Sequence, residues 1–92
     1  MNKLDLLLIN HKIIPGYLGY SYIKDILNNY TDLCNVGITP IYKEVARKFN
    51  ATWTGVERAI RHALSKSDLE IKQNKSALAY LILEYEGMMV NE

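Results

Sequence analysis

The sequence predicts an all-α fold, a compact helical domain of five to six helices containing a helix-turn-helix. Apolar residues recur at steps of three and four through most of the chain, and no stretch alternates apolar and polar residues as a half-buried strand would. The periodic stretches are separated by breakers, from Pro15-Gly16 onward. At 92 residues, 49% hydrophobic and 23% charged, the composition is that of an ordinary folded domain. A chain this size has room for a single core that buries about 60% of its unfolded surface. Residues 1–92 therefore read as one domain.

The elements follow in order. Residues 3–13 carry Leu4, Leu7, Leu8 and His11 at helical spacing, so a short first helix ends before Pro15-Gly16. Over 17–30, Leu18, Tyr22, Ile26 and Tyr30 fall at steps of four, with Ile23 and Leu27 widening the stripe, and this helix ends near Asn28-Asn29. Residues 31–38 read as a loop. Thr39-Pro40 then supplies a cap followed by proline at the first helical position. The third helix, 41–49, sets Ile41, Val45, Ala46 and Phe49 on one face and Lys43, Glu44, Arg47 and Lys48 on the other. Asn50 tolerates the left-handed backbone of a sharp turn. Thr52 or Thr54 caps the next helix, Thr54 with Glu57 forming a T-x-x-E capping box, and that helix continues to about residue 65. After a polar loop over 66–74, a strongly apolar helix over 75–85 ends at Gly87.

Composition narrows the function classes. A single cysteine, Cys34, precludes an intramolecular disulfide and a cysteine-based zinc cluster, and fits a reducing cytoplasm. The apolar run over 6–9 is too short for a membrane span or a signal-peptide core, so no membrane association is expected. The net charge of +1 gives little attraction to phosphate, but its distribution is uneven. Residues 1–42 are neutral. Residues 43–66 hold Lys43, Arg47, Lys48, Arg58, Arg61 and Lys66 against Glu44 and Glu57, a local +4, and residues 67–92 carry −3.

That basic segment coincides with a spacing pattern. Within 42–61, Val45, Ala46, Phe49, Asn50, Val56 and Ala59 occupy the positions that a helix-turn-helix requires to be apolar, small or turn-forming. With Val56, Ala59, Ile60 and Ala63 buried, helical geometry turns Trp53, Thr54, Glu57, Arg58, Arg61 and His62 outward. Arginine pairs bidentately with guanine, and glutamate accepts a hydrogen bond from cytosine. Lys43, Arg47 and Lys48 on the preceding helix suit phosphate contacts that fix register without reading sequence.

The string VERAIRHAL, residues 56–64, with the preceding IYKEVARKFNAT, residues 41–52, resembles the C-terminal DNA-binding effector domain of the master sporulation response regulator of endospore-forming Firmicutes. IPGYLGYSYIKDIL, residues 14–27, is similar to the second-helix region of that domain. The resemblance implies a six-helix domain that binds short promoter elements in double-stranded DNA and regulates transcription. Glu57, Arg58 and Arg61 would be the base readers, with Lys43, Arg47, Lys48, Thr52, Thr54, His62 and Lys66 as backbone or accessory contacts. The chain departs from the family pattern at Gly55, where a basic residue is usual, and in its shorter C-terminal region.

Other residues have plainer readings. Trp53 is expected to pack across the turn, His62 to bond a phosphate or a neighbouring side chain, and His11 to be a partly buried helix residue. Cys34 reads as an inert thiol in a loop. Asp5, Asp25 and Asp32 lie on separate segments with no spacing for acid and base chemistry, so neither an enzyme nor a cofactor or metal is expected. Tyr17, Tyr20, Tyr22, Tyr30 and Tyr42 read as core rather than base-stacking residues. The helix over 75–85 either completes the core or forms a face for a homodimer or a regulator partner. The alternative function is accordingly a protein-interaction module, a truncated paralogue that sequesters or dimerises with a full-length regulator.

Overall fold

A computed structural model describes residues 2–30 and 33–90 as six helices: α1 (Lys3–Asn10), α2 (Leu18–Asn29), α3 (Leu33–Val36), α4 (Ile38–Phe49), α5 (Trp53–Ser65) and α6 (Asn74–Val90). The described residues contain no strand. Asp32, and the side chain of Cys34, lie outside what is described.

Local chemistry explains most boundaries. The Asn2 side chain accepts from the Asp5 N–H at 2.9 Å and caps α1. At its other end Lys12 is left-handed, φ 65°, and Ile13 donates back to the Leu8 carbonyl, 2.9 Å, as Lys12 does to Ile9. This is the paired closure of a Schellman turn, with the buried Ile13 as its hydrophobic seal. The helix thus stops at Asn10, ahead of the Pro15-Gly16 pair that the sequence suggested as its terminator.

Three expectations shift. The segment 31–38, read as loop, contains the one-turn helix α3. Next, α4 begins at Ile38 behind Gly37, φ 86°, so Thr39 lies inside the helix and caps nothing. Pro40 remains acceptable because its missing N–H falls in the first turn, where it has no intrahelical partner. Lastly, α6 starts at Asn74 and runs through Gly87 to Val90, longer at both ends than the apolar pattern.

The step-of-four stripe on α2 also drifts. With 3.6 residues per turn, each step of four rotates by about 40°, so a stripe from Leu18 to Tyr30 cannot face one neighbour throughout. Leu18 is 68% exposed, and the buried face is Gly19, Tyr20, Tyr22, Ile23, Ile26 and Leu27. Of the five tyrosines read as core, Tyr20, Tyr22 and Tyr42 are buried, while Tyr17 and Tyr30 are partly buried against the cluster.

The core is centred on α5, which packs chiefly against α2 and α4. Val45, Val56, Ile60, Ala63 and Leu64 are completely inaccessible. Ala77, Leu78, Leu81 and Ile82 of α6 close the same cluster, so that side of α6 completes the domain core. Leu81 cannot serve a dimer face; removing it would leave a cavity of the kind that costs about 2–5 kcal/mol. The outward residues of α6 are Tyr80 and Leu83, with Met89 and Val90 near its end. Among the described residues no helix is long and apolar enough to cross a membrane.

Polar contacts pin α1 to its neighbours. Asp5 receives Lys24 Nζ at 2.8 Å and the Tyr20 hydroxyl from α2. These two contacts hold its carboxyl below the usual range, while burial and the carboxylate push the Tyr20 phenol up to about 12. His11, as expected, is partly buried. Its Nδ1 lies 2.9 Å from Asp68 and its Nε2 2.8 Å from Glu84, so both ring nitrogens donate only when the imidazole is protonated. Asp68 also donates its backbone N–H to the His11 carbonyl at 3.0 Å. Burial lowers the His11 pKa, but the two carboxylates outweigh it and hold the value above 6.5.

A pKa raised on folding stabilises the fold fully below the unfolded value, and the gain is lost as pH rises through the folded value. With Asp68 and Glu84 both partly exposed, the cationic latch is expected to contribute about 1–2 kcal/mol. In urea titrations, His11→Ala should lie below the wild type by that amount near pH 5.5, with the gap shrinking by pH 9. A gap independent of pH would rule out the protonated latch.

Candidate nucleic-acid interface

The turn between α4 and α5 is set by Asn50, which is left-handed as its sequence position predicts, φ 53° and ψ 49°. Its neighbour Ala51 donates to the Ala46 carbonyl at 2.9 Å, closing the end of α4. Thr52, extended, caps α5 by accepting from the Gly55 N–H at 3.1 Å. The capping box expected from Thr54 and Glu57 does not form. Thr54 lies inside the helix, and the residue three beyond Thr52 is Gly55, which has no side chain to reciprocate. A Cβ on Gly55 would stand 2.9 Å from Thr52 Oγ1, so a side chain there would require the cap oxygen to shift.

Exposure along α5 divides as helical geometry requires. Val56, Ile60, Ala63 and Leu64 are buried and Ala59 is partly so, whereas Trp53, Thr54, Arg58, Arg61 and His62 are exposed. Trp53, expected to pack across the turn, stands at the first position of α5 and is 40% exposed. On α4 the inward face is Ile41, Tyr42, Val45 and Ala46. Phe49, expected among them, is 43% exposed at the last residue of α4, with its ring edge-on to Tyr22 at 5.2 Å.

The cations sort into two groups. Arg61 is paired one turn back with Glu57, Arg47 with Glu44, and Lys48 with Asp25 on α2 at 3.2 Å, its ammonium 5.5 Å above the Tyr30 ring. The Glu44 contact lowers that carboxyl's pKa and raises that of Arg47. Lys43, Arg58 and Lys66 are exposed and make no ion pair among the described residues. Lys43, Thr52, Thr54, Arg58, Arg61 and His62 all lie on exposed parts of α4, the turn and α5. Lys66 is apart from the turn, at the far end of a thirteen-residue helix, about 20 Å from its start at 1.5 Å per residue. Glu57 is the most withdrawn of the expected base readers, its side chain 22% accessible beside the 62% of Arg61. Sequence reasoning left His62 between a phosphate and a neighbouring side chain; in this structure its ring meets Tyr17 edge-on at 5.7 Å.

Two residues that spacing did not single out hold this surface in place. Gly19 lets α2 press directly on α5: a Cβ there would lie 2.3 Å from the Ala59 carbonyl oxygen and 3.0 Å from Ala63 Cβ. Asn74, at the start of α6, donates from Nδ2 to the Tyr42 hydroxyl at 2.9 Å and to the Glu57 carbonyl at 3.1 Å. A glycine inside a helical stripe is the one sequence sign of the first contact.

An all-helical fold with a tight turn between α4 and α5, and a basic exposed face on both, is the architecture of a DNA-binding effector domain. Residues 6–85 match the family described as sporulation initiation factor Spo0A C terminal, and the chain belongs to that family. This is the family that the strings over 14–27, 41–52 and 56–64 resemble; it comprises DNA-binding regulatory domains rather than catalysts. No solved structure matches the chain.

Gly19→Ala is expected to force α2 and α5 apart at the cost of about 1–3 kcal/mol, lowering the melting temperature by roughly 4–8 °C per kcal/mol for a domain of this size. Thermal unfolding followed by circular dichroism checks this, and an unchanged midpoint would disprove the close approach.

Proposed function

We propose that this chain binds double-stranded DNA sequence-specifically and regulates transcription, with α4, the turn and α5 acting as a helix-turn-helix and α5 entering the major groove. The observation that carries the reading is the exposed stripe of α5, where Arg58 and Arg61 project opposite the buried Val56, Ile60 and Ala63 in a member of this family. Glu57, Arg58 and Arg61 read bases. Lys43, Arg47, Lys48, Thr52, Thr54, His62 and Lys66 serve the backbone or assist, and a sporulation promoter is the natural target of the family.

Magnitudes favour recruitment of Arg61 despite its partner. An i,i+4 ion pair in solvent contributes about 0.3–0.5 kcal/mol, whereas a bidentate arginine–guanine contact discriminates by about 1–3 kcal/mol. Swinging Arg61 from Glu57 to a base is therefore favourable, and it frees the Glu57 carboxylate to accept from cytosine. Arg58, without an ion pair among the described residues, has no such competition there.

Selection from random duplexes followed by binding at several salt concentrations tests the proposal. Arg58→Ala should lose about 1–3 kcal/mol on the selected site and relax preference at one base pair, while Lys43→Ala should weaken all duplexes evenly and reduce the salt slope by about one. Wild-type behaviour of both variants would sink the assignment. If no duplex is enriched, the protein-interaction alternative gains ground, and the exposed Tyr80 and Leu83 within residues 75–85 are where a second copy or a regulator would seat.

A further inference from the structure

We infer that Asn74 is a positioning residue for the reading helix, acting on Glu57 and Arg61 from the protein side; this rests on the DNA-binding reading above. Asn74 belongs to neither α4 nor α5, yet one amide nitrogen spans both. Its Nδ2 carries two hydrogens and meets two acceptors, the Tyr42 hydroxyl of α4 and the Glu57 carbonyl of α5, which saturates the donor. Tyr42 is 4% exposed, so this contact is removed from solvent.

The carbonyl that Asn74 holds has a particular place. Glu57 immediately precedes Arg58, and its carboxylate holds Arg61 one turn further on. The Glu57 carbonyl is also the helical acceptor for the Arg61 N–H, because α-helical bonds run from each N–H to the carbonyl four residues earlier. The turn from 57 to 61 carries all three proposed base readers, and Asn74 fixes it at its first carbonyl. Arginine readout depends on placing a planar fork against two acceptors, so a small rotation of this turn changes discrimination before it changes general attraction to phosphate.

A second detail separates positioning from simple adhesion. Asn74 Oδ1 is buried and has no hydrogen-bond partner among the described residues. Attachment is in any case provided nearby by Lys72, whose ammonium reaches the Leu64 and Ser67 carbonyls at 3.3 and 3.2 Å, and by the buried Leu69. The Asn74 amide is oriented for its donor.

The test compares Asn74→Ala and the isosteric, non-donating Asn74→Asp with Tyr42→Phe, which removes one acceptor but leaves the Glu57 clamp. In the free proteins, amide hydrogen exchange should speed up about tenfold at residues 58–61 in both Asn74 variants, with α1 and α2 unchanged, and little in Tyr42→Phe. On a selected duplex, both Asn74 variants should lose about tenfold in the ratio of specific to non-specific binding while keeping the wild-type salt slope. Combined with Arg61→Ala, the Asn74→Ala loss should largely vanish. Uniformly faster exchange, equal loss on all duplexes, or additive losses with Arg61→Ala would overturn the inference. If the wild type bound no duplex, the DNA reading would be what failed, and the exchange profile alone would decide whether Asn74 sets this turn.

Discussion

The fold depends on how closely α2 can approach α5. Gly19 brings the α2 backbone onto the Ala59 carbonyl, and Ala59 and Ala63 offer no side chain long enough to hold it off. That contact makes α5 the centre of the domain, with α2 on one side, α4 across the turn, and α6 closing the remainder. A helix so enclosed has little freedom in the face it leaves to solvent. The direction in which Arg58 and Arg61 project is therefore decided by small residues on the opposite side of the helix.

Electrostatics refines this surface without organising it. The basic middle third looks uniform when charges are summed along the chain, but Arg47, Lys48 and Arg61 each have a carboxylate partner. Partnered cations are held in defined places at small energetic cost, and Lys43 and Arg58 are the cations near the turn with no ion pair among the described residues. A surface of this kind attracts phosphate only weakly in general, consistent with a net charge of only +1.

Much of the architecture was legible from residue type and spacing. Asn50 announced its left-handed turn, and the split of α5 into buried Val56, Ile60 and Ala63 and exposed Arg58, Arg61 and His62 followed from periodicity alone. The strings over 41–52 and 56–64 gave the family. What spacing could not give was termination by non-local or unusual means. Lys12 closes α1 from a left-handed conformation that lysine seldom adopts, and Gly37, rather than Thr39, precedes α4. Asn74 and His11 were opaque for a different reason: the partners of Asn74 lie 17 and 32 residues away and those of His11 57 and 73, and no local pattern encodes such pairings. Leu18 and Phe49 show the limit of any stripe, since apolar residues at a helix end outrun the neighbour meant to cover them.

Gly55 constrains how the family theme can vary in this chain. Where the family pattern has a basic residue, glycine at the third position of α5 brings neither a positive charge nor a side chain that could reciprocate the Thr52 cap. The first turn of α5 is therefore capped from one side only, by the Thr52 oxygen, and the exposed positive charge of this region is carried by α4 and by the later turns of α5.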